Sequence, residues 1–227
     1  MALNPQITKQ YAAGNVEESA KLVYAGCRYS FYLLLLIAVP VMINIDYLLQ
    51  LWLGTVPEYT SQFLVLALIA ALINVMAPPI VTALQATGKI KVFQIVICII
   101  MLLELPLAYS ILYYGGKPYM AMYPTILVMF IGLFARFIIL RRLIPVYRLR
   151  YFIINIVVRN LLIGMICFLL SLWIGKCFQQ DFIHFLLTSL LTVVLSGFTI
   201  YILGLSRKER TKIMILIKNK IFIKHDK

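Results

Sequence analysis

The stretch FYLLLLIAVPVMINIDYLLQLWL, residues 31–53, decides the fold class of this chain. About 20 consecutive apolar residues are enough for a helix to cross the hydrocarbon core of a bilayer. The run is unbroken and does not alternate between apolar and polar residues, which disfavours a strand of a membrane β-barrel. Similar apolar runs follow at residues 63–86, 92–114, 119–140, 153–174 and 182–205. The sequence therefore predicts an all-α integral membrane protein with six transmembrane helices.

The composition agrees with this fold class. Hydrophobic residues make up 63% of the sequence, charged residues make up 13%, and the mean hydropathy is +0.97. Soluble domains are about half apolar and a quarter charged, so a soluble protein is excluded. The formal net charge is +13, but the basic residues form no stripe with aromatic residues outside the spans. We therefore expect membrane lipids as partners, and not nucleic acid.

The distribution of lysine and arginine predicts the orientation of the spans. Basic residues are frequent before the first span, between the second and third, between the fourth and fifth, and after the sixth. The other three loops carry few, namely Lys117 and Lys176. Because cytoplasmic loops are enriched in these residues, both termini are expected in the cytoplasm. The predicted regions are a cytoplasmic connector with an interfacial helix (1–30), a four-helix membrane part (31–140), a basic loop (141–152), a two-helix hairpin (153–205) and a basic tail (206–227).

Two short features flank the spans. Asn15 and Glu18 have the spacing of a capping box, which predicts that a short surface helix begins there. Aromatic residues cluster at the predicted exterior ends of the spans: Trp52, Tyr59, Tyr109, Tyr113, Tyr114, Tyr119 and Tyr123. This pattern is typical of an interfacial aromatic belt, and stacking platforms for sugars are the alternative.

Polar side chains inside the spans are the candidate functional residues, because burying them in a membrane is costly. Asp46 lies in the first span with Asn44 and Gln50 nearby, and Asp46 and Gln50 share a helix face. These groups either line a water-filled cavity or hydrogen-bond to neighbouring helices. Glu104 lies two residues before Pro106 in the third span. It either binds a coupling proton or cation, or it is hydrogen-bonded to a neighbouring helix.

Two arginines lie near the predicted cytoplasmic ends of their spans, Arg136 in the fourth and Arg159 in the fifth. Such side chains usually extend to the lipid headgroups, and the alternative is a guanidinium fork on the phosphate of an anionic substrate. Helix kinks are predicted at Pro40, at Pro78 and Pro79 (after Asn74), and at Pro106. Kinked, partly polar helices line the cavities of many transporters.

No set of residues points to catalysis or to a metal. The four cysteines are far apart without a CxxC pair, and the two histidines have no partner at ligand spacing. A P-loop and a Ser/His/Asp set are missing as well. We therefore predict a protein that is not an enzyme and that carries no metal or cofactor.

Three stretches resemble the polysaccharide flippases of the multidrug/oligosaccharidyl-lipid/polysaccharide exporter superfamily. They are Pro5 followed by YAAGN at 11–15, LQLWLG at 49–54 followed by VPEY at 56–59, and ALQATGKIK at 83–91. The resemblance runs through the fourth span, and the last two spans match only in hydropathy. It implies a fragment that holds the last four helices of the C-terminal lobe plus an extra helix pair, with the N-terminal lobe missing.

The resemblance also implies a function. Such flippases turn a lipid-linked oligosaccharide, carried on undecaprenyl pyrophosphate, across the bacterial inner membrane by alternating access, for O-antigen or capsule synthesis. In the intact protein, Arg136 or Arg159 would meet the pyrophosphate, and Glu104 or Asp46 would bind a coupling cation. Three alternatives stay open: a multidrug or other lipid exporter of the same superfamily, a stand-alone six-span scaffold or subunit, and a glycan-modifying enzyme. The enzyme is least expected, because no catalytic histidine or carboxylate pair is visible.

Overall fold

A computed structural model describes residues 3–175, 182–206 and 209–211, apart from the side chain of Ile174. Nearly all of these residues are helical, and no strand occurs among them. The helices are α1 Asn4–Ala12, α2 Val16–Ile43, α3 Ile45–Leu53, α4 Thr60–Asn74, α5 Ala77–Ala86, α6 Ile90–Leu102, α7 Glu104–Tyr113, α8 Met122–Leu143, α9 Leu149–Phe152, α10 Arg159–Gly175 and α11 Phe182–Thr199. A 3₁₀ turn covers Pro118–Ala121, and π-helical segments cover Ile153–Val158 and Ile200–Gly204.

Six helical stretches in the described part of the chain are long and apolar enough to cross a membrane. They are Val16–Ile43, Thr60–Ala86, Ile90–Tyr113, Pro118–Leu143, Leu149–Trp173 and Phe182–Gly204. The prediction of an all-α protein with six membrane-spanning helices is thus confirmed. The cytoplasmic location of the termini stays a prediction. Lys176 and most of the basic tail lie outside the described residues.

The first span differs in its bounds from the predicted 31–53. The predicted surface helix and the first span form one continuous helix of 28 residues, α2, which begins at Val16. Just after its end, Asn44 donates to the Pro40 carbonyl from its backbone N–H at 3.2 Å and from Nδ2 at 3.0 Å. The backbone bond is the ordinary α-helical one, and α2 continues through Pro40, where a kink was predicted. The break lies at Asn44, whose φ of −107° and ψ of 24° are not helical and whose side chain bonds the nearby backbone. The chain then continues as α3 to Leu53.

The predicted capping box at the start of α2 is wrong. The helix has no side-chain cap. Asn15 Nδ2 donates instead to Gln10 Oε1 at 3.0 Å, and Glu18 pairs with Lys21 at 2.6 Å. Asn15 finds its partner on α1, which folds back beside the start of α2, and Glu18 pairs with a lysine one turn further along α2.

That preceding helix, α1, is part of the packed bundle. It contacts α2 and α5. Ile7 on α1 is fully buried, and Ser19 Oγ on α2 donates to the Ile7 carbonyl at 3.1 Å. Residues 1–30, predicted as a connector with a surface helix, therefore include a helix that is held against two spans.

The two ends of the bundle differ in character. The basic end carries the loop that follows α5, the loop that follows α8 and the two ends of the described chain, with Arg28, Lys89, Arg141, Arg142 and Arg148. The tyrosine end carries Tyr59, Tyr109, Tyr113, Tyr114, Tyr119 and Tyr123.

Aromatic packing closes the basic end. The rings of Phe137 and Phe152 stack at 3.9 Å with an interplanar angle of 8°. Both rings are fully buried, and so is Tyr147. The Tyr24 hydroxyl accepts a hydrogen bond from the backbone N–H of Arg148 at 2.9 Å. These contacts fasten the predicted basic loop between the fourth and fifth spans to α2.

The last two spans belong to the same bundle, since α10 and α11 both contact α2. One face of α11 carries buried small polar residues that the sequence analysis missed: Thr188, Thr192, Ser196 and Thr199. Their spacing of about one helical turn puts them in a stripe. Thr188 Oγ1 donates to Asn44 Oδ1 at 3.0 Å. Small residues of this kind let membrane helices approach closely.

Carbonyl groups at the end of the sixth span accept side-chain hydrogen bonds. Arg159 donates to the Leu203 carbonyl from Nε at 3.0 Å and from Nη2 at 2.5 Å. The Tyr32 hydroxyl donates to the Gly204 carbonyl at 3.3 Å. The last carbonyls of a helix lack intrahelical donors and carry partial negative charge, so an arginine there is stabilising.

Glu209 ties the last described residues to α2. Its carboxylate accepts hydrogen bonds from Arg28 Nη2 at 2.7 Å, from the Tyr29 hydroxyl at 2.6 Å and from the Ser206 backbone N–H at 2.6 Å. Partial burial raises the pKa of this carboxyl group, but the hydrogen bonds and the positive charge of Arg28 outweigh it and lower the pKa from 4.5 to about 2. The first and last spans thus meet at the basic end.

We expect Glu209→Gln to lower the free energy of unfolding at neutral pH by about 1–3 kcal/mol, because hydrogen bonds to a charged acceptor are strong. The pKa is lower in the folded protein than in the unfolded one. This stabilisation is therefore complete above pH 4.5 and is lost as the pH falls toward about 2. Thermal unfolding in lipid nanodiscs over this pH range measures the difference. Glu58→Gln, at an exposed position, is the control. Equal melting of both variants at neutral pH would contradict the prediction.

Candidate functional site

Three of the apolar runs are interrupted. The first breaks at the asparagine after α2, the second at residues 75–76 between α4 and α5, and the third at Leu103 between α6 and α7. Pro78 and Pro79 lie in the first turn of α5, and Pro106 lies in the first turn of α7. Proline cannot donate to a carbonyl of the preceding turn, so the break comes just before it. Interrupted helices are a recurrent feature of transporter cavities.

The break in the second span is packed against α2 and α10. The Cys27 thiol donates to the Met76 carbonyl at 3.1 Å, and Asn160 Nδ2 lies 3.4 Å from the Met76 sulfur. Gly26 makes the approach of α2 possible, because a Cβ at this position would lie 2.9 Å from Pro79 Cγ. The bend is thus enclosed from two sides.

The polar residues of the first span divide into two groups. Asp46 and Gln50 line a pocket of about 320 Å³ at the tyrosine end. Asp46 Oδ1 accepts a hydrogen bond from Ser61 Oγ on α4 at 2.6 Å. Asn44 points to α11 instead, where it bonds Thr188. The structure therefore brings Asp46 and Gln50 together and separates Asn44 from them.

Glu104 is hydrogen-bonded to the fourth span. Thr125 Oγ1 on α8 donates to Glu104 Oε1 at 2.6 Å, and the glutamate is half-buried. Of the two alternatives for this residue, the hydrogen bond to a neighbouring helix is present, and cation binding stays a proposal. Asn74, beside the break in the second span, is exposed.

Arg136 lies deeper in the bundle than the sequence predicts. Because α8 extends to Leu143, Arg136 comes about two turns, or ~10 Å, before the end of the helix. Its guanidinium folds back over Gly132, since a Cβ on this glycine would lie 2.9 Å from Nη1. Gly132 is close to the midpoint of α8, and Arg136 is only 7% exposed. The side chain therefore does not extend to the headgroups at the basic end.

No acidic side chain among the described residues pairs with Arg136. The ion pairs found there are Lys21–Glu18 and Arg28–Glu209. The buried Nε of Arg136 has no hydrogen-bond partner in the same part of the chain. An arginine at the centre of a membrane-spanning helix costs at least about 2.5–3.5 kcal/mol. A buried cation without a counter-charge is therefore the best marker of a functional site in the spans.

Arg159, the other arginine candidate, has a structural task. Both its Nε and its Nη2 are engaged by the Leu203 carbonyl at the end of the sixth span. The two arginines have similar positions in the sequence pattern but differ in the structure. Of the two, Arg136 is the one whose side chain lacks a hydrogen-bond partner among the described residues.

The residues at the tyrosine end form two sets. One set is exposed and makes ring contacts within itself: Tyr109, Tyr113 and Tyr114. In the other set, Tyr119 and Tyr123 line a pocket of about 340 Å³ together with Asp46 and Ser61. The Tyr59 ring lies 5.6 Å from the ring of Tyr119. The first set fits an interfacial belt. The second set borders a pocket, although the side chain of Tyr123 is still 47% exposed.

The first three spans, with their breaks and with the carboxylates of Asp46 and Glu104, are the part of the chain that a known family shares. Residues 1–110 match the MatE family. MatE is the MATE-type superfamily of multidrug and polysaccharide exporters, and its members are transporters, not enzymes. No curated protein and no solved structure shows a significant match to the chain.

The residues that match MatE extend from α1 into α7. Asp46 and Glu104 lie among them, and Arg136 and Arg159 lie beyond them. The match supports the predicted superfamily for residues 1–110, which are just under half of the chain, whereas the predicted resemblance ran through the fourth span. The described part of the chain has six helices that are long and apolar enough to cross a membrane.

Three residues of the candidate site were not predicted from the sequence: Ser61, Thr125 and Gly132. Hydroxyl residues and glycines occur in most of the spans, so their positions alone carry no signal. Only their contacts with the three charged residues give them a role. Within the described ranges, no three His, Cys, Asp or Glu side chains lie close enough to hold a metal ion.

Proposed function

We propose that this chain works in a transporter that moves a lipid-linked oligosaccharide across the bacterial inner membrane by alternating access, for the synthesis of a surface polysaccharide such as O-antigen or capsule. The MatE match over residues 1–110 supports transport. The buried guanidinium of Arg136 supports an anionic substrate, and this observation carries the proposal.

The chemistry of the substrate fits this arginine. Undecaprenyl pyrophosphate carries its negative charge at the junction of lipid and sugar, and that charge must cross the membrane. A guanidinium binds phosphate oxygens in a two-pronged fork, which a lysine cannot do. A buried cation is unfavourable alone and is stabilised when a counter-charge joins it. Arg136 thus pairs with the pyrophosphate only while the substrate is in transit.

The bent spans supply the movement in this proposal. The breaks at residues 75–76 and Leu103 leave half-helices that can tilt against each other. Glu104 lies directly after the second of these breaks and bonds Thr125 on α8. We propose that binding of a coupling proton or cation to Glu104 releases this hydrogen bond and changes the angle between α7 and α8.

A second candidate function, export of apolar drugs, is favoured by a different feature. A cavity of about 210 Å³ between α2, α4 and α10 has an almost entirely apolar lining, which includes Phe31, Ile69, Leu161 and Met165. Such a cavity suits a lipophilic molecule, or the isoprenoid chain of the lipid-linked substrate.

Deletion of the gene in its native host separates the two candidates. We expect surface polysaccharide to disappear and lipid-linked oligosaccharide to accumulate on the inner leaflet, because the precursor can no longer cross. Immunoblotting of surface glycan and mass spectrometry of extracted lipids measure both. Restoration by the intact gene is the control. Normal polysaccharide together with raised sensitivity to lipophilic drugs would reject glycan flipping and favour drug export.

A further inference from the structure

The pocket at the tyrosine end combines polar side chains and aromatic rings. It has a volume of about 340 Å³ and lies between α3, α4 and the start of α8. Its lining includes Asp46, Ser61 and Gln62 together with Tyr119 and Tyr123. The carboxylate of Asp46 also borders the adjoining pocket of about 320 Å³, so it lies at the junction of a longer groove.

A strained residue supports one of these rings. Among the described residues, Tyr59 is the only one besides glycine with a positive φ, 67°. A residue with a side chain adopts this left-handed conformation at an energetic cost, and such strain is concentrated at functional sites. The Tyr59 ring contacts Tyr119 with centroids 5.6 Å apart and an interplanar angle of 43°. The strained loop thus positions a ring that lines the pocket.

The hydrogen-bonding groups in the pocket suit neighbouring hydroxyl groups of a ligand. Ser61 donates to Asp46 Oδ1, and no described residue donates to Oδ2, which is free to accept a charge-assisted hydrogen bond. Gln62 offers both a donor and an acceptor. A ligand that presents hydroxyl groups on its edge and C–H groups on its face can use the polar groups and the rings together. A lipophilic cation would leave the amide of Gln62 unused.

We propose that this pocket binds a carbohydrate ring. Asp46 and Gln62 bond neighbouring hydroxyl groups, and Tyr119 and Tyr123 cover the apolar face of the sugar. Binding itself requires only the pocket. Its use during transport rests on the proposed function, in which the pocket holds the sugar portion of the substrate while Arg136 holds the pyrophosphate.

Saturation-transfer difference NMR on the full chain in lipid nanodiscs tests the proposal. The probes are chitotriose, maltotriose and raffinose at about 10 mM each, a range in which weak sugar binding is detectable. We expect magnetisation transfer to the ring protons of at least one probe. Loss of a hydrogen bond to a charged group weakens binding roughly tenfold, and this is the change expected for Asp46→Asn. Tyr119→Leu is expected to remove the signal.

Matched controls separate a pocket from a general aromatic surface. Tyr114→Leu alters a fully exposed tyrosine at the same end and is expected to change nothing. If no probe shows transfer, if Tyr114→Leu and Tyr119→Leu act alike, or if tetraphenylphosphonium binds there in place of sugars, the proposal is overturned. Asp46→Asn keeps the size of the side chain, so it remains decisive if Tyr119→Leu does not fold. The two proposals can also fail separately. If the protein binds sugars but deletion of its gene leaves surface polysaccharide intact, the proposed function is rejected and the proposal that the pocket binds a carbohydrate stands.

Discussion

Replacing Arg136 by methionine is expected to stop transport and at the same time to stabilise the protein. Display of surface polysaccharide falls by roughly thirtyfold or more, because removing one member of a desolvated charge pair costs about 2–5 kcal/mol. The free energy of unfolding rises by about 2 kcal/mol or more, because a cation at the centre of a span is lost. A substitution that lowers transport and raises the free energy of unfolding indicates that the original residue binds a ligand and does not stabilise the fold.

Complementation of the deleted gene measures transport, and thermal unfolding in nanodiscs measures stability. Arg141→Met is the control, since this arginine is exposed in the last turn of α8 and is expected to leave both quantities nearly unchanged. Arg136→Lys keeps the positive charge but cannot form the two parallel hydrogen bonds that a guanidinium makes to a phosphate, so we expect only partial transport. A destabilised Arg136→Met protein, or one with normal polysaccharide display, would assign Arg136 to the fold.

Gly26→Ala is expected to lower the free energy of unfolding by about 1–3 kcal/mol, the usual range for overpacking a tight contact. The new Cβ would lie 2.9 Å from Cγ and 3.1 Å from Cβ of Pro79. A proline ring cannot rotate out of the way, and Pro79 is buried in the first turn of α5. α2 would therefore have to move away from the bend in the second span.

A second glycine within a span is the matched control. Gly197 lies in α11, and a Cβ there would come no closer than 4.0 Å to its nearest neighbour, Leu36 Cδ2. Without a clash, alanine is the better helix former by up to about 1 kcal/mol, so Gly197→Ala is expected to be neutral or stabilising. Heat unfolding of both variants gives the comparison. Equal stability of Gly26→Ala and Gly197→Ala would contradict close packing of α2 on α5.

The spans and their interruptions follow from local properties of the sequence. Hydropathy over about 20 residues identifies a membrane-spanning helix without knowledge of its neighbours. A proline perturbs the turn before it wherever the helix lies, and the breaks just before Pro78 and Pro106 reflect this. The capping box at Asn15 and Glu18 failed for the opposite reason, because the folded-back α1 supplied Asn15 with another partner.

In the candidate site, too, the sequence identifies the polar residues, and only the folded structure shows what each of them contacts. The sequence marks Arg136 and Arg159 alike, as basic residues near the ends of spans. The structure separates them, since Arg159 bonds the carbonyl of Leu203, 44 residues away, and Arg136 folds over Gly132 at the middle of its helix. The sequence likewise marks the tyrosines as one group, and only packing of α3, α4 and α8 puts Tyr119 and Tyr123 beside Asp46.

The sequence by itself thus determined the fold class, the number of spans and a resemblance to the exporter superfamily, which the MatE match supports over residues 1–110. The tertiary structure decided which polar groups are satisfied and which are left for a ligand. Hydropathy and proline act along the chain, but a hydrogen bond depends on how each helix is rotated and on which distant helix packs beside it. Arg28 and Glu209, 181 residues apart, meet only in the folded bundle, and only there does Arg136 remain without a counter-charge among the described residues.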